Sequence, residues 1–422
     1  MNFVFLFIIL SVATIYSINA YPNYKQLHTV STDTNARDSI DKLRKTAINK
    51  YSRYKDLALT SNATTSNYKM SSDVSTSNNE IFSHVSTSES QTIPIIDDNP
   101  DKAYYVKIII GNQEFKVMLD TGSSSLWIPN KDCTSDACKG HNRFDSSSSP
   151  TFKDEGNPWD IQYGLGNASG ITGIDSIQIG NITADNQIFG LANSESDDFG
   201  YDDFDGILGL GFDNLNDLDN GSSTLISTLI KQNKINPIFG CHFQHASGVD
   251  DGTFTLGGVD ESKFIGEITF NSVINTVGFW EINLDGVKLD DTPMSISGRS
   301  AIIDTGSTVL FVPSDDAAAI NKQIPGAEFD NKTNTYKVPC PPDPCCTSTS
   351  SIPTISLRFG GVDYTIPSED VIYNSLFQCI TVIVPFDLEG HPNTWVVGQS
   401  FLKNVYSVFD VENRKVGFAH SK

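Results

Sequence analysis

Two short segments of the sequence carry the same pattern, an aspartate between an apolar run and a turn of small polar residues. The first reads VMLDTGSSSLWIP (117–129) and the second reads AIIDTGSTVLFVP (301–313). Each Asp-Thr-Gly turn can place its carboxylate, at Asp120 or Asp304, at the end of a buried strand. Glycine permits the tight backbone, and the Thr and Ser hydroxyls can donate hydrogen bonds. A buried carboxylate without a partner is costly, so each aspartate is expected to need one.

Each aspartate is followed at a similar distance by two apolar residues and a glycine. These are Ile207-Leu208-Gly209 in FDGILGLGF and Val396-Val397-Gly398 in WVVGQSF. The glycine lies 89 residues after Asp120 and 94 residues after Asp304, and the aspartates are 184 residues apart, about the length of one domain. The repetition predicts two homologous lobes, each with one Asp-bearing loop.

Two such carboxylates, brought face to face by a pseudo-twofold axis between the lobes, would share one proton. Like charges in contact separate the two titrations, so one group is ionised while the other keeps its proton. The ionised group can take a proton from water while the protonated group donates to an amide carbonyl oxygen. This hydrolysis requires no metal, cofactor or side-chain nucleophile. In the alternative interpretation, each Asp-Thr-Gly turn is only a polar corner between a strand and a turn. The matched downstream motifs argue against this alternative.

Most of the chain has the texture of a β protein. From about Thr92, short β-rich runs such as YYVKIII, FKVML, QCITVIVPF and VYSVFDV recur between turns rich in Gly, Asn and Asp. Helical patterns are few: SSTLISTLIKQN (222–233) follows Ser caps, and PSDDAAAINKQ (313–323) is weaker. The sequence predicts an all-β fold.

The segment before Thr92 differs in composition from the rest. Residues 1–20 form an uncharged apolar run that is short for a membrane span, which indicates a secretory signal; a buried N-terminal helix is the alternative. Residues 36–55 have the spacing of a basic amphipathic helix, and residues 60–92 are a linker rich in Ser, Thr and Asn. No later segment is expected to span a bilayer.

Charge is divided unevenly along the chain. Residues 21–70 carry nine Lys/Arg and four Asp/Glu, whereas residues 99–422 carry 20 basic and 42 acidic residues, a net charge of −22. Because this acidic part of the chain repels nucleic acid and anionic membranes, neither is expected as a partner. The basic leader is an electrostatic complement to it.

The seven cysteines fit an oxidising compartment. Cys133 and Cys138 enclose a short loop that predicts a local disulfide, and Cys241 lies in an apolar run typical of a buried thiol. Four others lie close enough in sequence for another bridge: Cys340, Cys345, Cys346 and Cys379. Zinc is the competing interpretation, which the adjacent Cys345-Cys346 disfavours. Five sequons fit a secreted glycoprotein: Asn62, Asn167, Asn181, Asn220 and Asn331.

The two Asp-Thr-Gly segments, with FDGILGLGF and WVVGQSFLKNVYSVFD, resemble the pepsin family of aspartic endopeptidases from about Thr92 to the end. The leader around AINKYSRYK resembles that of secreted fungal members such as rhizopuspepsin. The resemblance implies an all-β, bilobal acid protease fold with a pseudo-twofold axis. Its expected parts are a signal peptide (1–20), a propeptide and linker (21–91), an N-terminal lobe (92–275) and a C-terminal lobe (276–422).

The resemblance also implies roles for the residues of both motifs. Asp120 and Asp304 would be the catalytic dyad. Ser123 and Ser307 would donate hydroxyl hydrogen bonds to the two carboxyl groups. Thr121 and Thr305 would cross-link the two loops beneath them. Gly122 and Gly306 would approach the water and the substrate backbone.

A Gly-rich tip between two β-like runs, IQYGLGNASGITG (161–173), predicts a hairpin. It resembles the family's flap, with Tyr163 over the cleft and Gly164 and Leu165 touching the substrate backbone. Trp127 would support Tyr163 through its indole N–H, and Thr308 would contact substrate. Tyr163 as an ordinary strand tyrosine is the alternative, and a phosphate loop is disfavoured because no helix and no Lys follow.

Three further expectations follow from the resemblance. Leu165 stands where members that accept lysine carry an acid, which implies a preference for large hydrophobic residues around the cut. Cys340–Cys379 would be the C-terminal disulfide, although Cys345 or Cys346 is an alternative partner. Lys50 would plug the active site by pairing with both aspartates; the alternative is a solvated base on the leader helix.

These inferences together predict a secreted, monomeric aspartic endopeptidase made as a zymogen and active at acidic pH, with an acidic vacuole as the alternative location. Its partners would be polypeptide substrates, its own propeptide and pepstatin-type inhibitors, with no metal or cofactor. A related binding protein that has lost catalysis is a second hypothesis, but the motif residues are all present. A glycosidase is a third, and its two acids are normally set further apart.

Overall fold

The computed structural model describes most of the chain after the leader. The described residues are 50–51, 90–98, 103–163, 166–218, 222–244, 251–340, 352–375 and 378–422. The predicted signal peptide and most of the predicted propeptide lie outside them, as do Gly164, Leu165, Cys345 and Cys346. No helix within these ranges is both long and apolar enough to cross a membrane.

Strands dominate this part of the chain. The strands as far as Ser272 are β1 (Gln91–Pro94), β2 (Ile96–Asp98), β3 (Ala103–Ile110), β4 (Gln113–Asp120), β5 (Leu126–Pro129), β6 (Lys153–Gln162), β7 (Asn167–Ile179), β8 (Ile182–Glu195), β9 (Gly206–Gly209), β10 (Ile238–Phe243), β11 (Gly252–Leu256) and β12 (Phe264–Ser272). The later strands are β13 (Glu281–Leu284), β14 (Gly286–Leu289), β15 (Thr292–Pro293), β16 (Arg299–Ile303), β17 (Leu310–Val312), β18 (Glu328–Asp330), β19 (Thr335–Val338), β20 (Ile355–Phe359), β21 (Val362–Ile366), β22 (Ile372–Ser375), β23 (Gln378–Thr381), β24 (Ile383–Pro385), β25 (Thr394–Val397), β26 (Val405–Asp410) and β27 (Lys415–Ser421). The prediction of an all-β protein is confirmed.

In the described ranges from residue 90 onward, three short α-helices accompany the strands: α1 (Leu225–Lys231), α2 (Ser314–Asn321) and α3 (Gln399–Leu402). Both predicted helices are therefore present. The cap of α1 differs from the prediction, because Thr224 rather than a serine accepts the N-terminal hydrogen bond, from the amide of Ser227. The hydroxyl of either a serine or a threonine can accept a hydrogen bond from a free amide of the first turn.

The strands form sheets on each side of a shared central sheet. The N-terminal lobe has an eight-stranded sheet in the order β2-β3-β4-β9-β5-β8-β7-β6. The C-terminal lobe has a five-stranded sheet, β13-β16-β25-β17-β24, and two four-stranded sheets, β15-β14-β20-β21 and β18-β19-β23-β22. A six-stranded sheet, β1-β11-β10-β26-β27-β12, is built from both halves of the chain and joins the lobes.

The same strand arrangement recurs around each aspartate. In the first lobe β4 pairs in parallel with β9, with Asp120 opposite Gly209, and β5 runs antiparallel to β9. In the second lobe β16 pairs in parallel with β25, with Ile303 opposite Val397, and β17 runs antiparallel to β25. The matched spacing from each aspartate to its apolar-glycine motif is therefore the spacing between two paired strands. The prediction of a bilobal fold with homologous lobes is confirmed.

Three of the strands beside the two aspartates are buried along their whole length. All four residues of β5, β9 and β25 are buried, in keeping with their near-continuous apolar sequences. Leu119, Leu208, Ile303 and Val396 belong to one apolar cluster that extends through both lobes. A core shared in this way fixes the two Asp-bearing loops relative to each other, because close-packed interiors leave little room to shift.

Candidate active site

Asp120 and Asp304 lie at matching positions, at the end of β4 and immediately after β16. Both are fully buried. The carbonyl of Asp120 accepts a hydrogen bond from the amide of Leu210 at 2.8 Å, and the amide of Asp304 donates to the carbonyl of Val397 at 3.0 Å. Each loop is thus tied to the downstream apolar motif of its own lobe.

The threonines of the two loops cross-link the lobes beneath the aspartates. The amide of Thr121 donates to Thr305 Oγ1 at 3.0 Å, and the amide of Thr305 donates to Thr121 Oγ1 at 2.9 Å. The hydroxyls in turn donate across the interface, from Thr121 to the carbonyl of Ile303 at 2.7 Å and from Thr305 to that of Leu119 at 2.8 Å. Four reciprocal hydrogen bonds in a buried site leave each loop one position relative to the other.

Each carboxylate receives the same pair of donors from its own loop. Ser123 Oγ donates to Asp120 Oδ2 at 2.6 Å, and Ser307 Oγ donates to Asp304 Oδ2 at 2.5 Å. The inner oxygens, Asp120 Oδ1 and Asp304 Oδ1, accept from the amides two residues on, at 2.9 and 3.0 Å. These donors fix the carboxylate planes and favour the ionised form.

The glycine of each turn lies against the aspartate of the opposite lobe. A methyl group at Gly122 would lie 2.5 Å from Asp304 Oδ1, and one at Gly306 would likewise collide with Asp120 Oδ1. Only hydrogen fits at these two positions. The two carboxyl groups therefore face each other across the interface between the lobes.

Lys50 and Tyr51, which are helical, reach this pair of carboxylates from the leader. Lys50 Nζ donates to Asp120 Oδ1 at 2.7 Å and to both oxygens of Asp304 at 3.0 and 2.9 Å. The hydroxyl of Tyr51 donates to Asp304 Oδ2 at 2.6 Å, and its ring packs against Phe279 at a centroid distance of 5.6 Å. Both side chains are buried, so the ammonium occupies the space where a small polar molecule would meet both acids.

The predicted hairpin is formed by β6 and β7, with Gln162 opposite Asn167. The amide of Tyr163 donates to the carbonyl of Gly166 at 2.9 Å and closes the described part of the tip. The indole N–H of Trp127 donates to the hydroxyl of Tyr163 at 2.7 Å, as the resemblance implied. The tyrosine is thereby held against β5, the strand that follows the first Asp-Thr-Gly turn.

A family model described as eukaryotic aspartyl protease matches residues 103–421, which include both Asp-bearing loops and the hairpin. The chain belongs to this family. Among its curated relatives, a probable aspartic-type endopeptidase CTSD of Arthroderma benhamiae is 36% identical over 338 residues. That match covers 78% of this chain but only 63% of the relative. Gastricsin of Cavia porcellus is 34% identical over 330 residues, which are 76% of this chain and 80% of gastricsin.

The two acids have different electrostatic surroundings. Burial raises the pKa of Asp120 and Asp304 adds to the rise, while the ammonium of Lys50 opposes it. Burial would also raise the pKa of Asp304, but Lys50, Ser307 and Tyr51 together lower it to about 2. The pKa of Lys50 is raised because its two carboxylate partners outweigh burial, so its ammonium is charged. Asp304 is thus the more readily ionised member of the pair.

Two disulfides join described cysteines, Cys133–Cys138 and Cys340–Cys379, and Cys241 is a free, buried thiol. Burial raises the pKa of Cys241 well above its ordinary range, so this thiol is unreactive. Cys133, Cys138 and the carboxylate of Glu195 lie within metal-ligand distance of one another. Both sulfurs are bonded to each other and present no thiolate, so the oxidised loop does not fit a zinc ion.

The described structure supplies three contacts to the site that sequence reasoning missed. Tyr51 binds Asp304, and its only sequence signal is its place beside Lys50. Gln399 donates to the carbonyl of Thr305 at 2.7 Å, from the residue after the second glycine motif. Phe199 packs edge-to-face on Tyr163, with ring centroids 6.1 Å apart, and nothing local in its acidic segment indicates this contact.

Thr308, assigned to substrate contact by resemblance, is half-buried beside Ser307. Its carbonyl accepts hydrogen bonds from the amide and the hydroxyl of Ser400, at 3.0 and 2.8 Å. These bonds tie the second Asp-bearing loop to α3. Its role toward substrate stays a prediction.

Proposed function

We propose that this protein is a secreted aspartic endopeptidase, made as an inactive precursor, that hydrolyses internal peptide bonds at acidic pH. Asp120 and Asp304 form the catalytic dyad, and polypeptides are the substrates. The observation that carries the proposal is the pair of buried carboxylates on two equivalent, cross-linked loops. Its family membership supports the same reaction.

In the proposed mechanism one water lies between the two carboxyl groups, of which one is ionised and the other is protonated. The ionised group accepts a proton as the water oxygen bonds to the peptide carbonyl carbon, and the protonated group donates to the carbonyl oxygen. The group that took the proton from water then passes it to the peptide nitrogen as the C–N bond breaks, and the other group recovers its proton from a hydroxyl of the tetrahedral intermediate. Gly122 and Gly306 leave room for the substrate backbone, and the Ser123 hydroxyl keeps its carboxylate oriented.

We propose that Lys50 is the inhibitory plug of a propeptide that occupies residues 21 to about 90. Its ammonium binds both acids and Tyr51 covers Asp304, which leaves no space for water and substrate. The attraction requires ionised carboxylates, so it weakens as pH falls and the dyad takes up protons. Acid therefore releases the leader and generates the mature enzyme.

Several finer properties are proposed on the sequence alone. The apolar segment 1–20 directs secretion, or delivery to an acidic vacuole, and the sequons outside the flap carry glycans. The mature protein acts as a monomer and is inhibited by pepstatin-type compounds. Leu165 in the flap favours large hydrophobic residues around the cut, and Tyr163 closes over the bound peptide.

The proposal is tested by acidifying the purified precursor and digesting an unfolded protein with and without pepstatin. Asp304→Asn serves as the inactive variant. Asp410→Asn is the matched control, because Asp410 is also a buried, hydrogen-bonded aspartate but lies in β26. We expect pepstatin-sensitive cleavage from the wild type and the control and none from Asp304→Asn. A precursor that shortens yet digests nothing would instead support the binding protein.

A further inference from the structure

A histidine outside the dyad, with a side chain that is only 4% exposed, contacts both ends of one segment of the N-terminal lobe. This segment, residues 195–202, is called here the flap brace. His141 Nδ1 lies 3.6 Å from Glu195 Oε2, at the first residue of the brace. The other ring nitrogen, His141 Nε2, lies 3.2 Å from the carbonyl oxygen of Asp202, at its last residue. Both ring nitrogens thus face acceptors, an arrangement that suits the doubly protonated imidazolium.

The flap brace supports the hairpin directly. The amide of Ser196 donates to the carbonyl of Asn167 at 2.9 Å, and Ser196 Oγ accepts from the amide of Asn167 at 3.1 Å. Phe199 packs edge-to-face on Tyr163 and also on Trp127, with ring centroids 6.1 and 5.4 Å apart. The position of the brace therefore sets the position of the tyrosine side chain and of the strand beyond the tip.

Glu195 depends on the histidine for compensation of its charge. Its side chain is fully buried, and neither carboxylate oxygen has a hydrogen-bond donor among the described residues. The sulfurs of the Cys133–Cys138 disulfide lie within 4.8 Å of a carboxylate oxygen of Glu195, and they carry no charge. A buried carboxylate without a counter-charge is strongly unfavourable, so the loss of the imidazolium charge would leave Glu195 uncompensated.

A second acid near the ring, Asp205, acts in the same direction as Glu195. Asp205 accepts hydrogen bonds from the backbone and side chain of Asn142, next to the histidine. Lys139, two residues before His141, is exposed and pairs with Asp136 instead. Burial lowers the pKa of His141, but Glu195, the Asp202 carbonyl and Asp205 outweigh it and raise the pKa above its ordinary value of 6.5.

We propose that His141 is a positioning residue that, as an imidazolium, clamps the flap brace at both ends and so holds the flap hairpin ready in acid and releases it near neutral pH. As an explanation of activity it rests on the proposed peptidase function, but its structural part does not. Because the ring binds its proton more tightly in the folded state, the clamp is fully formed below about pH 6.5 and weakens as pH rises through the higher folded value.

The test is amide hydrogen exchange of the full-length precursor between pH 5.5 and 8.5, normalised to intrinsic exchange rates. The reporters are peptides covering Tyr163 and the flap brace. For the wild type we expect protection to fall in one step above about pH 6.5. Glu195→Gln keeps the shape of the side chain but removes the charge, so the step should move down by about one pH unit.

His141→Gln should reduce protection about tenfold or more already at pH 5.5 and abolish the step, because a charge-assisted contact is lost at every pH. His242→Gln is the matched control, since His242 is also buried but lies in β10, where it contacts Ser421. It should retain the wild-type step. Should His141→Gln fail to fold, the shift in Glu195→Gln decides the matter alone.

Absence of the step in the wild type, or a step that Glu195→Gln leaves in place, would overturn the proposal. Protein that shows the exchange behaviour but cleaves no peptide would refute the peptidase function and leave the clamp standing. An active enzyme without the exchange step would refute the clamp and leave the peptidase function standing.

Discussion

Replacement of Lys50 by methionine tests the inhibitory plug, since methionine keeps an apolar side chain of similar length and removes the charge. In the wild type one ammonium lies within 3.0 Å of three carboxylate oxygens, and its side chain is 6% exposed. Removal of one partner of a buried ion pair costs about 3 to 5 kcal/mol. We take the lower end, about 3 kcal/mol, because the two acids can relieve their repulsion by sharing a proton.

One pH unit corresponds to about 1.4 kcal/mol for each proton bound. The loss of about 3 kcal/mol of leader binding should therefore raise the pH at which the leader is released by about two units. The assay is binding of a fluorescent pepstatin derivative to the intact precursor during a stepwise pH titration. Lys403→Met is the control, because Lys403 forms a similarly buried ion pair with Asp370 at 2.8 Å but lies outside the leader. It should lower stability and leave the release pH unchanged. Equal release pH in Lys50→Met and wild type would refute the plug.

Substitutions at three positions test the positioning of the dyad and flap. Thr121→Val should lower the free energy of unfolding by about 2 to 4 kcal/mol in urea, because two buried backbone groups lose their partner, whereas Thr121→Ser should cost less than about 1 kcal/mol; similar losses in both would contradict the cross-link. Gly122→Ala, whose methyl group would lie 2.5 Å from Asp304 Oδ1, should reduce kcat/KM about 100-fold with an unchanged circular dichroism spectrum; near-normal activity would exclude the close approach. Trp127→Phe, which loses its hydrogen bond to Tyr163, should reduce kcat/KM about fivefold, and an unchanged value would show that the bond does not position the flap.

The sequence predicts those parts of the site whose signal is local and repeated. Two Asp-Thr-Gly turns and two apolar-glycine motifs sufficed to predict two equivalent lobes, because strand, turn and strand are adjacent in the chain. The structure adds the reason for the matched spacing, which is the pairing of β4 with β9 and of β16 with β25.

The contacts that escaped prediction join residues distant in sequence and ordinary in type. Phe199 lies among aspartates in an acidic segment, yet it packs on the flap tyrosine. His141 follows a disulfide loop by three residues, but its partner Glu195 is 54 residues away and carries no motif. Such pairs depend on how β5, β7 and β8 pack, and one sequence does not reveal that packing.

The most direct test of the central claim is the pH dependence of kcat/KM for the acid-activated enzyme, measured with a peptide that has no titratable side chains. Two carboxyl groups that share one proton should give a bell-shaped profile, because activity requires one ionised and one protonated acid. Both limbs of the profile should lie at acidic pH and be well separated. Replacement of either Asp120 or Asp304 by asparagine should abolish the activity. A profile with a single ionisation, or appreciable activity in either variant, would contradict the shared-proton dyad.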